Sequence, residues 1–313
     1  MERLLRDRLD LYPFRVLPSV GVVIPTHNRP ELLRRAVESV LAQEYDGPVR
    51  VVVVYDRATP DRSLAGDHVE VLANTRTPGL PGSRNTGILA LDTDLVASCD
   101  DDDVWLPGKL AAQVAALQAE PEAVLCSCGI LVDFDGRAMP RLAGTDRVRF
   151  DDLVGDRVMS VHSSTYVARR EALIDIGMVD ETIPGGQGED WDLALRAARR
   201  HPIVNVDHPY VRVLFGQTSY YAQAWETKVE ALRWFLDRYP EIGRSPAAAG
   251  RVYGQIAFGC ATIGRRREAV RWAGRAVRAN WKERRVPFAL AVASGVVSGK
   301  RVLLTLHARG RGI

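Results

Sequence analysis

The first half of the chain alternates short apolar runs with longer segments of helical period. Residues 20–24 form a continuous apolar run and residues 49–54 form an apolar run broken only by Arg50, a pattern typical of strands buried on both faces of a parallel sheet. Between them, residues 30–43 place leucine and valine on one helical face, with a proline at the start, where helices tolerate it. This alternation predicts an α/β fold with a mostly parallel, Rossmann-like sheet, flanking helices and right-handed crossovers.

The pattern changes towards the C-terminus. Further strands are expected at 69–72, 95–98, 123–132 and 163–168, and further helices at 85–91, 107–119 and 190–200. A hairpin turn is expected at Asp135-Gly136. Beyond residue 217 only helical spacing remains, at 221–239, 246–263, 267–279 and in two shorter pieces. We therefore predict an N-terminal extension (1–19), an α/β domain (20–216) and an all-helical region (217–313).

The composition restricts the class of protein. With 313 residues, 46% hydrophobic and 26% charged, the chain is neither disordered, collagen-like nor a disulfide-stapled mini-protein. The apolar stretch 286–298 is shorter than the roughly 18 residues of a membrane span, and residues 1–10 lack a secretory-signal pattern. The four cysteines form no C-x-x-C pair, so we expect reduced buried thiols, no zinc and a cytoplasmic location.

The formal net charge of +3 conceals two opposite regions. From Ser245 onwards, fourteen Lys and Arg face only Glu268 and Glu283, a net charge of +12. The preceding residues carry 28 basic and 37 acidic side chains, a net charge of −9. Such an asymmetry indicates two regions with different partners.

Polar residues follow three of the predicted strands and should meet at one edge of the sheet. Ligands of open α/β sheets bind at the carboxyl ends of strands. The residues there are Pro25-Thr26-His27-Asn28-Arg29, Asp56 and Asp100-Asp101-Asp102-Asp103. Four adjacent carboxylates repel one another unless a cation or hydrogen-bond donors offset their charge. The run therefore predicts a Mg²⁺ or Mn²⁺ site, with a solvated acidic loop as the alternative.

Two glycine-rich segments precede predicted helices. Residues 79–87, with Arg84, offer N–H groups to an anion, although their spacing fits neither a dinucleotide fingerprint nor a P-loop. In residues 184–193, the glycines are followed by Glu189 and Asp190 at the start of a predicted helix. Simple N-capping by Asp190 is the alternative reading, but together with the aspartate run the pair predicts a catalytic carboxylate.

These motifs resemble, in order, those of family 2 glycosyltransferases of the GT-A fold, over residues 20–214. The matching segments are Val22-Val23-Ile24-Pro25-Thr26-His27-Asn28-Arg29, Asp56, Arg84-Asn85-Thr86-Gly87, Asp100-Asp101-Asp102-Asp103-Val104-Trp105 and Gly188-Glu189-Asp190-Trp191. The resemblance implies a nucleotide-sugar half over 20–106 and an acceptor half over 107–216. It also implies an inverting, metal-dependent transfer of a sugar from a UDP- or dTDP-sugar to a glycan, lipid-linked or small-molecule acceptor.

The resemblance assigns roles to individual residues. Asp190 corresponds to the general base, with Glu189 in support. Asp100-x-Asp102 corresponds to the D-x-D motif, in which Asp102 and Asp100 are the ligands of Mn²⁺ or Mg²⁺. Asp100 or Asp101 is also expected near the ribose and the diphosphate of the donor. The remaining donor-site residues are Pro25, Thr26, Asn28, Arg29, Asp56 (towards the base), Arg84 and Asn85.

The sequence departs from the family pattern at two places. Tyr55 stands where the family often has another Asp, and Arg57-Ala58 replaces a common Gly-Ser pair. Both differences affect which nucleotide base the donor site would select. Several family members have a metal-binding His after the last core strand, but residues 214–217 contain none. His208 is nearby in sequence, and a structural or surface role is the simpler interpretation of it. His162, beside Ser163 and Ser164, is expected on the acceptor side.

The basic C-terminal region has two interpretations. Arg271, Arg275 and Arg278 share a helical face near Trp272 and Trp281, a pattern typical of peripheral binding to an anionic bilayer at the inner face of the membrane. Alternatively, the helices pack on the acidic body or on a second subunit as a homodimer. No nucleic-acid recognition module accompanies the charge, so no nucleic acid is expected.

Two other functions compete with a glycosyltransferase. A sugar-phosphate nucleotidyltransferase also uses an α/β sheet, a metal and acids, but it needs a glycine-rich loop after the first strand, where this chain has residues 25–29. A non-catalytic sugar-nucleotide or lipid-binding protein is the other alternative. The aspartate run and the Glu189-Asp190 pair argue against it.

Overall fold

The computed structural model describes residues 17–134, 137–158, 160–214 and 224–307. The strands are β1 (Val20–Thr26), β2 (Val49–Tyr55), β3 (Val69–Ala73), β4 (Leu95–Ser98), β5 (Asp103–Trp105), β6 (Leu125–Phe134), β7 (Arg137–Arg141), β8 (Arg147–Val148), β9 (Val167–Arg169) and β10 (Ile203–Leu214). The helices are α1 (Pro30–Leu41), α2 (Leu80–Ala90), α3 (Lys109–Ala119), α4 (Phe150–Gly155), α5 (Arg170–Asp175), α6 (Glu189–Arg200), α7 (Trp225–Arg238), α8 (Pro240–Arg244), α9 (Pro246–Thr262), α10 (Arg266–Ala279), α11 (Arg285–Ser294) and α12 (Gly299–His307).

The ten strands of the described chain form one mixed sheet in the order β3-β2-β1-β4-β9-β6-β10-β5, with β7 beside β6 and β8 beside β10. The predicted parallel part is β3-β2-β1-β4, where Val20 pairs with both Val49 and Leu95. β9 runs antiparallel between β4 and β6, and β5 runs antiparallel at the β10 edge. The short β9 therefore joins the two halves of the sheet and leaves the carboxyl ends of β4 and β6 at the same edge.

Alternation along β1 separates two hydrophobic cores. Val22 and Ile24 face α1, whereas Val23 faces α2 and belongs to a core that continues into the C-terminal helices. There Trp191 of α6 stacks on Phe235 of α7 with ring centroids 4.4 Å apart. The helical region thus packs on the α/β part of the chain and buries the helix that carries Glu189 and Asp190.

Two expectations on local structure are refined. α2 begins at Leu80, so the segment 79–87 lies within a helix rather than before it; Gly79 caps that helix with φ of 116°. A Cβ on Gly82 would lie 1.9 Å from the Thr77 carbonyl oxygen, so the glycine permits close packing of the helix start. Ser163–Thr165 form a 3₁₀ turn before β9.

Some expectations fall outside the described residues. These are the turn at 135–136, most of the N-terminal extension 1–19, the boundary at 216–217 and the stretch 215–217 that lacks a histidine. In the ranges that are described, no helix combines the length and the hydrophobicity required to cross a bilayer.

Candidate active site

The aspartate run lies between the ends of β4 and β5, next to the end of β1. Cys99 N–H donates to the Val23 carbonyl, which fixes the start of the run against β1. Thr26 Oγ1 donates to Asp101 Oδ2 at 2.7 Å. Arg29 Nη1 donates to Asp101 Oδ1 at 3.1 Å and to Asp102 Oδ2 at 2.6 Å. Residues predicted from two separate motifs therefore meet, and Arg29 offsets part of the carboxylate repulsion.

A short turn supports the run from the other side. Trp105 Nε1 donates to the Ser164 carbonyl at 3.1 Å, which holds the Ser163–Thr165 turn against β5. Ser164 Oγ accepts from the Asp100 N–H at 2.9 Å, and Ser163 Oγ donates to Asp100 Oδ2 at 2.9 Å. Asp100 is thereby oriented by both its backbone and its side chain.

Arg84 joins the two acidic motifs. Its side chain is only 3% exposed; Nη2 donates to Asp100 Oδ1 at 2.6 Å and Nη1 donates to Glu189. Burial opposes ionisation of Asp100, but the charge of Arg84 outweighs it and lowers the pKa of that carboxyl. For Glu189, burial raises the pKa, because Arg84 offsets only part of the penalty. Arg84 thus binds both acids, and its predicted contact with the nucleotide stays a prediction.

Asp190 is buried at the start of α6, and its carboxylate is bound by Arg157. Nη2 of Arg157 contacts both oxygens of Asp190, and Tyr166 Oη donates to the Asp190 carbonyl at 3.0 Å. Burial favours the neutral acid, but the guanidinium prevails and lowers the pKa of Asp190. Asp190 is therefore held as a carboxylate, the form that a general base requires.

A cluster of three groups has the composition of a cation site. One ligand atom each of Asp100, Asp103 and His162 lies within 4.8 Å of the others. Asp103 Oδ2 is buried, has no hydrogen-bond partner among the described residues and lies 3.7 Å from His162 Nδ1. Burial and the charges of Asp100 and Asp102 raise the pKa of Asp103 well above its usual range. An orphaned carboxylate oxygen beside an imidazole fits a divalent cation such as Mn²⁺.

Asp102 occupies a different position in the run. Its side chain is 36% exposed and paired with Arg29, whereas Asp103 is buried. Its role as a metal ligand stays a prediction. His162 was expected on the acceptor side, and the structure brings it to the carboxylates of the aspartate run.

Asp56 directly follows β2, and both of its carboxylate oxygens accept hydrogen bonds. Oδ1 accepts from Asn74 Nδ2 at 3.0 Å and from Gly79 N–H at 2.9 Å, and Oδ2 accepts from Arg57 Nε at 2.8 Å. Burial opposes its ionisation, but these hydrogen bonds lower the pKa of Asp56. Asp56 thus orders the loops around the expected base-binding side.

Asn85 anchors α2 to the segment before the glycine loop. Its Nδ2 donates to the Val179 carbonyl at 2.8 Å and to Glu181 Oε1 at 2.7 Å, and its Oδ1 accepts from Val179 N–H. Both amide hydrogens are thereby used within the chain, and the predicted contact of Asn85 with the donor stays a prediction. Pro25 is buried in β1, and Asn28 follows it with φ of 55°, in the left-handed region.

The residues that sequence patterns missed act through tertiary contacts. Arg157 lies 33 positions before Asp190 in no recognisable motif, and Asp103 could not be separated from its three neighbours by sequence. For His162, the adjacent serines were the only signal. Their hydroxyl groups turn out to hold Asp100.

Comparison with known sequences identifies the class of protein. The pattern of Glycosyl transferase family 2 matches residues 21–177, half of the chain. The chain therefore belongs to family 2 of the glycosyltransferases, which confirms the family indicated by the motifs.

Three relatives show what the chain is similar to. The pre-mycofactocin glycosyltransferase of Mycobacterium tuberculosis is 31% identical over 208 residues, which cover 61% of this chain and 43% of that protein. The succinoglycan biosynthesis protein ExoO of Rhizobium meliloti is 31% identical over 142 residues, 44% of this chain and 40% of that protein. The amylovoran biosynthesis glycosyltransferase AmsE of Erwinia amylovora is 25% identical over 207 residues, which cover 63% of this chain and 76% of that protein. The chain thus spans less than half the length of the first two relatives.

A solved structure confirms the fold. S. aureus TarS 1–349 in complex with UDP-GlcNAc superposes with a TM-score of 0.58 at 16% identity, over 94% of this chain and 92% of that chain. The predicted GT-A architecture, with its helical C-terminal region, is therefore confirmed.

Proposed function

We propose that the protein is an inverting glycosyltransferase that moves a sugar from a UDP- or dTDP-sugar to a hydroxyl group of a glycan, lipid-linked or small-molecule acceptor. One observation carries the proposal: Arg84 binds Asp100 of the aspartate run and Glu189 beside Asp190. A displacement reaction needs the leaving diphosphate and the attacking hydroxyl on opposite sides of one carbon. The Arg84 bridge supports a single centre in which both carboxylate motifs act.

On the donor side, the end of β1 and the aspartate run would bind the nucleotide. The proposed contacts are those implied by the family: Pro25, Thr26, Asn28, Arg29, Asp56, Arg84, Asn85, Asp100 and Asp101. The complex of TarS with UDP-GlcNAc supports a uridine nucleotide as the first donor to examine. The exposed edge of Arg29, whose side chain is 36% exposed, offers a cation to the phosphates.

A divalent metal, Mn²⁺ or Mg²⁺, would be held by Asp100 and Asp102, and the geometry adds Asp103 and His162 as neighbours. When bound, such an ion neutralises the charge that develops on the leaving diphosphate. The chain itself contributes the orientation of Asp100 through Ser163, Ser164 and Arg84. Ordered carboxylates of this kind hold a cation without rearranging during the reaction.

On the acceptor side, Asp190 would accept the proton of the attacking hydroxyl. The acceptor oxygen forms the new bond to the anomeric carbon as the bond from that carbon to the diphosphate oxygen breaks. The proton passes to the Asp190 carboxylate, and the nucleoside diphosphate leaves with the bonding electrons. A single displacement with one base inverts the configuration at the anomeric carbon.

The experiment that tests the function is a thermal-shift screen of nucleoside diphosphates and their sugars, with and without Mn²⁺. We expect UDP or dTDP with Mn²⁺ to raise the melting temperature, because a ligand that binds only the folded chain stabilises it. Slow donor hydrolysis with Mn²⁺ would then distinguish an enzyme from a non-catalytic binding protein. If no nucleoside diphosphate or sugar nucleotide stabilises the protein, the proposal is wrong.

The rival nucleotidyltransferase makes a different prediction. Such an enzyme binds a nucleoside triphosphate and a sugar phosphate, and it releases pyrophosphate. In this chain α1 begins at Pro30, directly after residues 25–29, without a glycine-rich loop for a triphosphate. Pyrophosphate release from UTP would favour the rival.

We further propose peripheral contact with an anionic membrane through α10 and the turn after it. Apolar side chains are exposed there, including Val270 (54%), Val277 (44%) and Trp281 (77%). They alternate with the exposed basic residues Arg267, Arg271, Arg278 and Lys282, which form no ion pair within the described ranges. Exposed tryptophan and valine among unpaired cations are typical of helices that lie on anionic bilayers.

A further inference from the structure

Four basic side chains lie close enough together to repel one another, and one of them, Arg157, binds the Asp190 carboxylate. They are Arg157, Lys228 of α7, Arg251 of α9 and Arg285 of α11. The Arg251 guanidinium lies 5.4 Å from the ring of Trp191, the residue after Asp190. The Cβ of Arg285 packs against Gly254, one turn from Arg251, where an added Cβ would come within 3.2 Å of it. We call these four residues the basic cluster.

The basic cluster has too few anions to balance it. Arg157 is paired with Asp190, and Arg285 is paired with Glu283 at 2.8 Å. For Arg251 the nearest carboxylate is Asp156, at 3.5 Å from Nε, but that side chain is 79% exposed and makes a weak partner. Lys228 Nζ lies 4.6 Å from the ring of Trp225 and has no ion pair with a described residue.

Several donors of the basic cluster are also unused. Nε and Nη2 of Arg251 and Nε of Arg285 are buried without a hydrogen-bond partner among the described residues. Burial and the charges of Arg157 and Arg285 lower the pKa of Lys228 to about 8. Burial also lowers the pKa of Arg251, with repulsion from Arg285 and Arg157. Cations in this state are stabilised by an anion that accepts several hydrogen bonds at once.

We propose that the basic cluster binds the phosphoryl group of the acceptor, so that the substrate is a phosphorylated alcohol whose free hydroxyl reaches Asp190. A phosphoryl group carries up to two charges and presents oxygens in several directions, which suits donors from four separate segments. A carboxylate is planar and carries one charge, so it matches the basic cluster less well. This inference rests on the proposed function, because it names the acceptor class of the same site.

Binding of a phosphoryl group at this position also affects the base. Arg157 belongs both to the basic cluster and to the ion pair with Asp190. An anion on Arg157 competes with the Asp190 carboxylate for the same guanidinium. Acceptor binding therefore loosens the ion pair at the moment when Asp190 must accept a proton.

The first experiment measures binding by calorimetry to the full chain, saturated with UDP and Mn²⁺ so that the donor site is filled. The probes are glycerol 1-phosphate, glycerol and glycerate. We expect binding of glycerol 1-phosphate only, weakened at least about tenfold by Lys228→Gln and by Arg251→Gln, because each removes charged hydrogen bonds. Arg35→Gln, which removes an exposed arginine of α1, is the matched control and should bind as the wild type does.

Melting temperatures of both variants without ligand show whether they fold. If Arg251→Gln does not fold, Lys228→Gln, at a partly exposed position, still tests the inference. Equal or tighter binding of glycerate, or binding of the phosphate that neither variant weakens, would overturn the inference. Protein that binds UDP and no phosphate also overturns it but leaves the proposed function standing. Protein that binds no nucleotide contradicts the proposed function itself.

A second experiment identifies the source of the phosphoryl group. UDP release from the donor is measured with glycerol 1-phosphate, with soluble short-chain phosphatidylglycerol and with inorganic phosphate. Faster release with either ester, lost in Lys228→Gln, supports the inference and assigns a soluble or a lipid acceptor. Inorganic phosphate has no alcohol to offer; if it alone accelerates UDP release, the basic cluster is a regulatory site and the inference is wrong.

Discussion

Nη2 of Arg157 lies 2.8 Å and 2.6 Å from the two carboxylate oxygens of Asp190. Asp190 is buried, while the side chain of Arg157 is 49% exposed, so solvent reaches the ion pair from the arginine side. The guanidinium keeps the carboxylate ionised and fixes its direction. It also occupies the oxygens that a hydroxyl group must approach, which makes this contact a point of control for the proposed base.

Replacing Arg157 should change the pH dependence of transfer. In Arg157→Gln the charge that lowers the pKa of Asp190 is gone, so that pKa rises and the base becomes protonated at higher pH. We expect the acidic limb of the rate profile to move to higher pH, with a smaller shift in Arg157→Lys, which keeps a cation. Superimposable profiles for all three proteins would show that Arg157 does not act on the base.

Asp190→Asn should remove the base without removing the donor site. We expect turnover to fall by about 10²–10⁴, the usual contribution of a general base. The affinity for UDP, measured by thermal shift with Mn²⁺, should stay within about twofold, since free energies of distant contacts are independent. Asp151→Asn, at an exposed position of α4, is the control. Near-full transfer activity in Asp190→Asn would refute the assignment.

Removal of the metal should abolish UDP binding, and Mn²⁺ should restore it. Loss of even an outer partner of a metal site costs about 10–100-fold in metal affinity, so we expect Asp100→Asn, Asp102→Asn and His162→Gln each to weaken Mn²⁺ binding at least tenfold. Calorimetry with Mn²⁺ measures this directly. Asp151→Asn, at an exposed position of α4, should have no effect. If Asp102→Asn keeps the affinity for Mn²⁺ and His162→Gln loses it, the metal ligands are Asp100, Asp103 and His162 rather than Asp100 and Asp102.

The strands and long helices were predictable because their periodicity reports burial directly. The run at 49–54 became β2, and the segment 30–43 became α1, since each apolar position needed a buried face. The start of α2 was not predictable. Glycine and proline at 79–82 read as a loop, but Gly82 is there for its close approach to Thr77, a tertiary contact.

The candidate site was predictable only as far as its motifs. Strand ends placed Thr26, Arg29 and the aspartates at one edge, and these residues do meet. Asp103 is buried because it begins β5, which pairs with β10, and no spacing in the sequence records that pairing. Likewise, Lys228, Arg251 and Arg285 come close to one another only because α7 and α11 both pack on α9, which no local pattern in the sequence records.

Glu181 should stabilise the fold in a pH-dependent way. It accepts from Arg76 Nε, Thr77 N–H and Asn85 Nδ2, and these contacts overcome the effect of burial and lower its pKa to about 2 from a usual 4.5. A lowered carboxyl pKa stabilises the fold above the unfolded pKa, and this contribution disappears as the pH falls from about 4.5 to about 2.

We therefore expect Glu181→Gln to lower the free energy of unfolding by about 2 kcal/mol at pH 7 and by less at each lower pH. Urea titrations at pH 7, 5, 4 and 3 measure the difference. Asp175→Asn, at an exposed position of α5, is the control for the charge change. A difference between Glu181→Gln and the wild type that stays constant with pH would contradict the role of the carboxylate.

Membrane contact should depend on charge and on Trp281 together. Each basic residue near an anionic surface contributes about 1 kcal/mol, so Arg271→Gln and Arg278→Gln should each weaken binding to phosphatidylserine vesicles about fivefold. Trp281→Ser should weaken it further, and high salt should release the protein. Arg35→Gln should leave binding unchanged. Flotation that is insensitive to salt and to these changes would exclude this surface.

The four buried cysteines give the folded chain built-in reporters of its own opening. Cys126 and Cys128 lie in β6, Cys99 directly follows β4, and Cys260 lies in α9. Burial raises the pKa of all four thiols, so an alkylating reagent finds neither access nor a thiolate in the closed state. Labelling therefore requires local or global opening. Its rate at Cys260 compared with the other three tells whether the helical region detaches on its own or opens only together with the sheet.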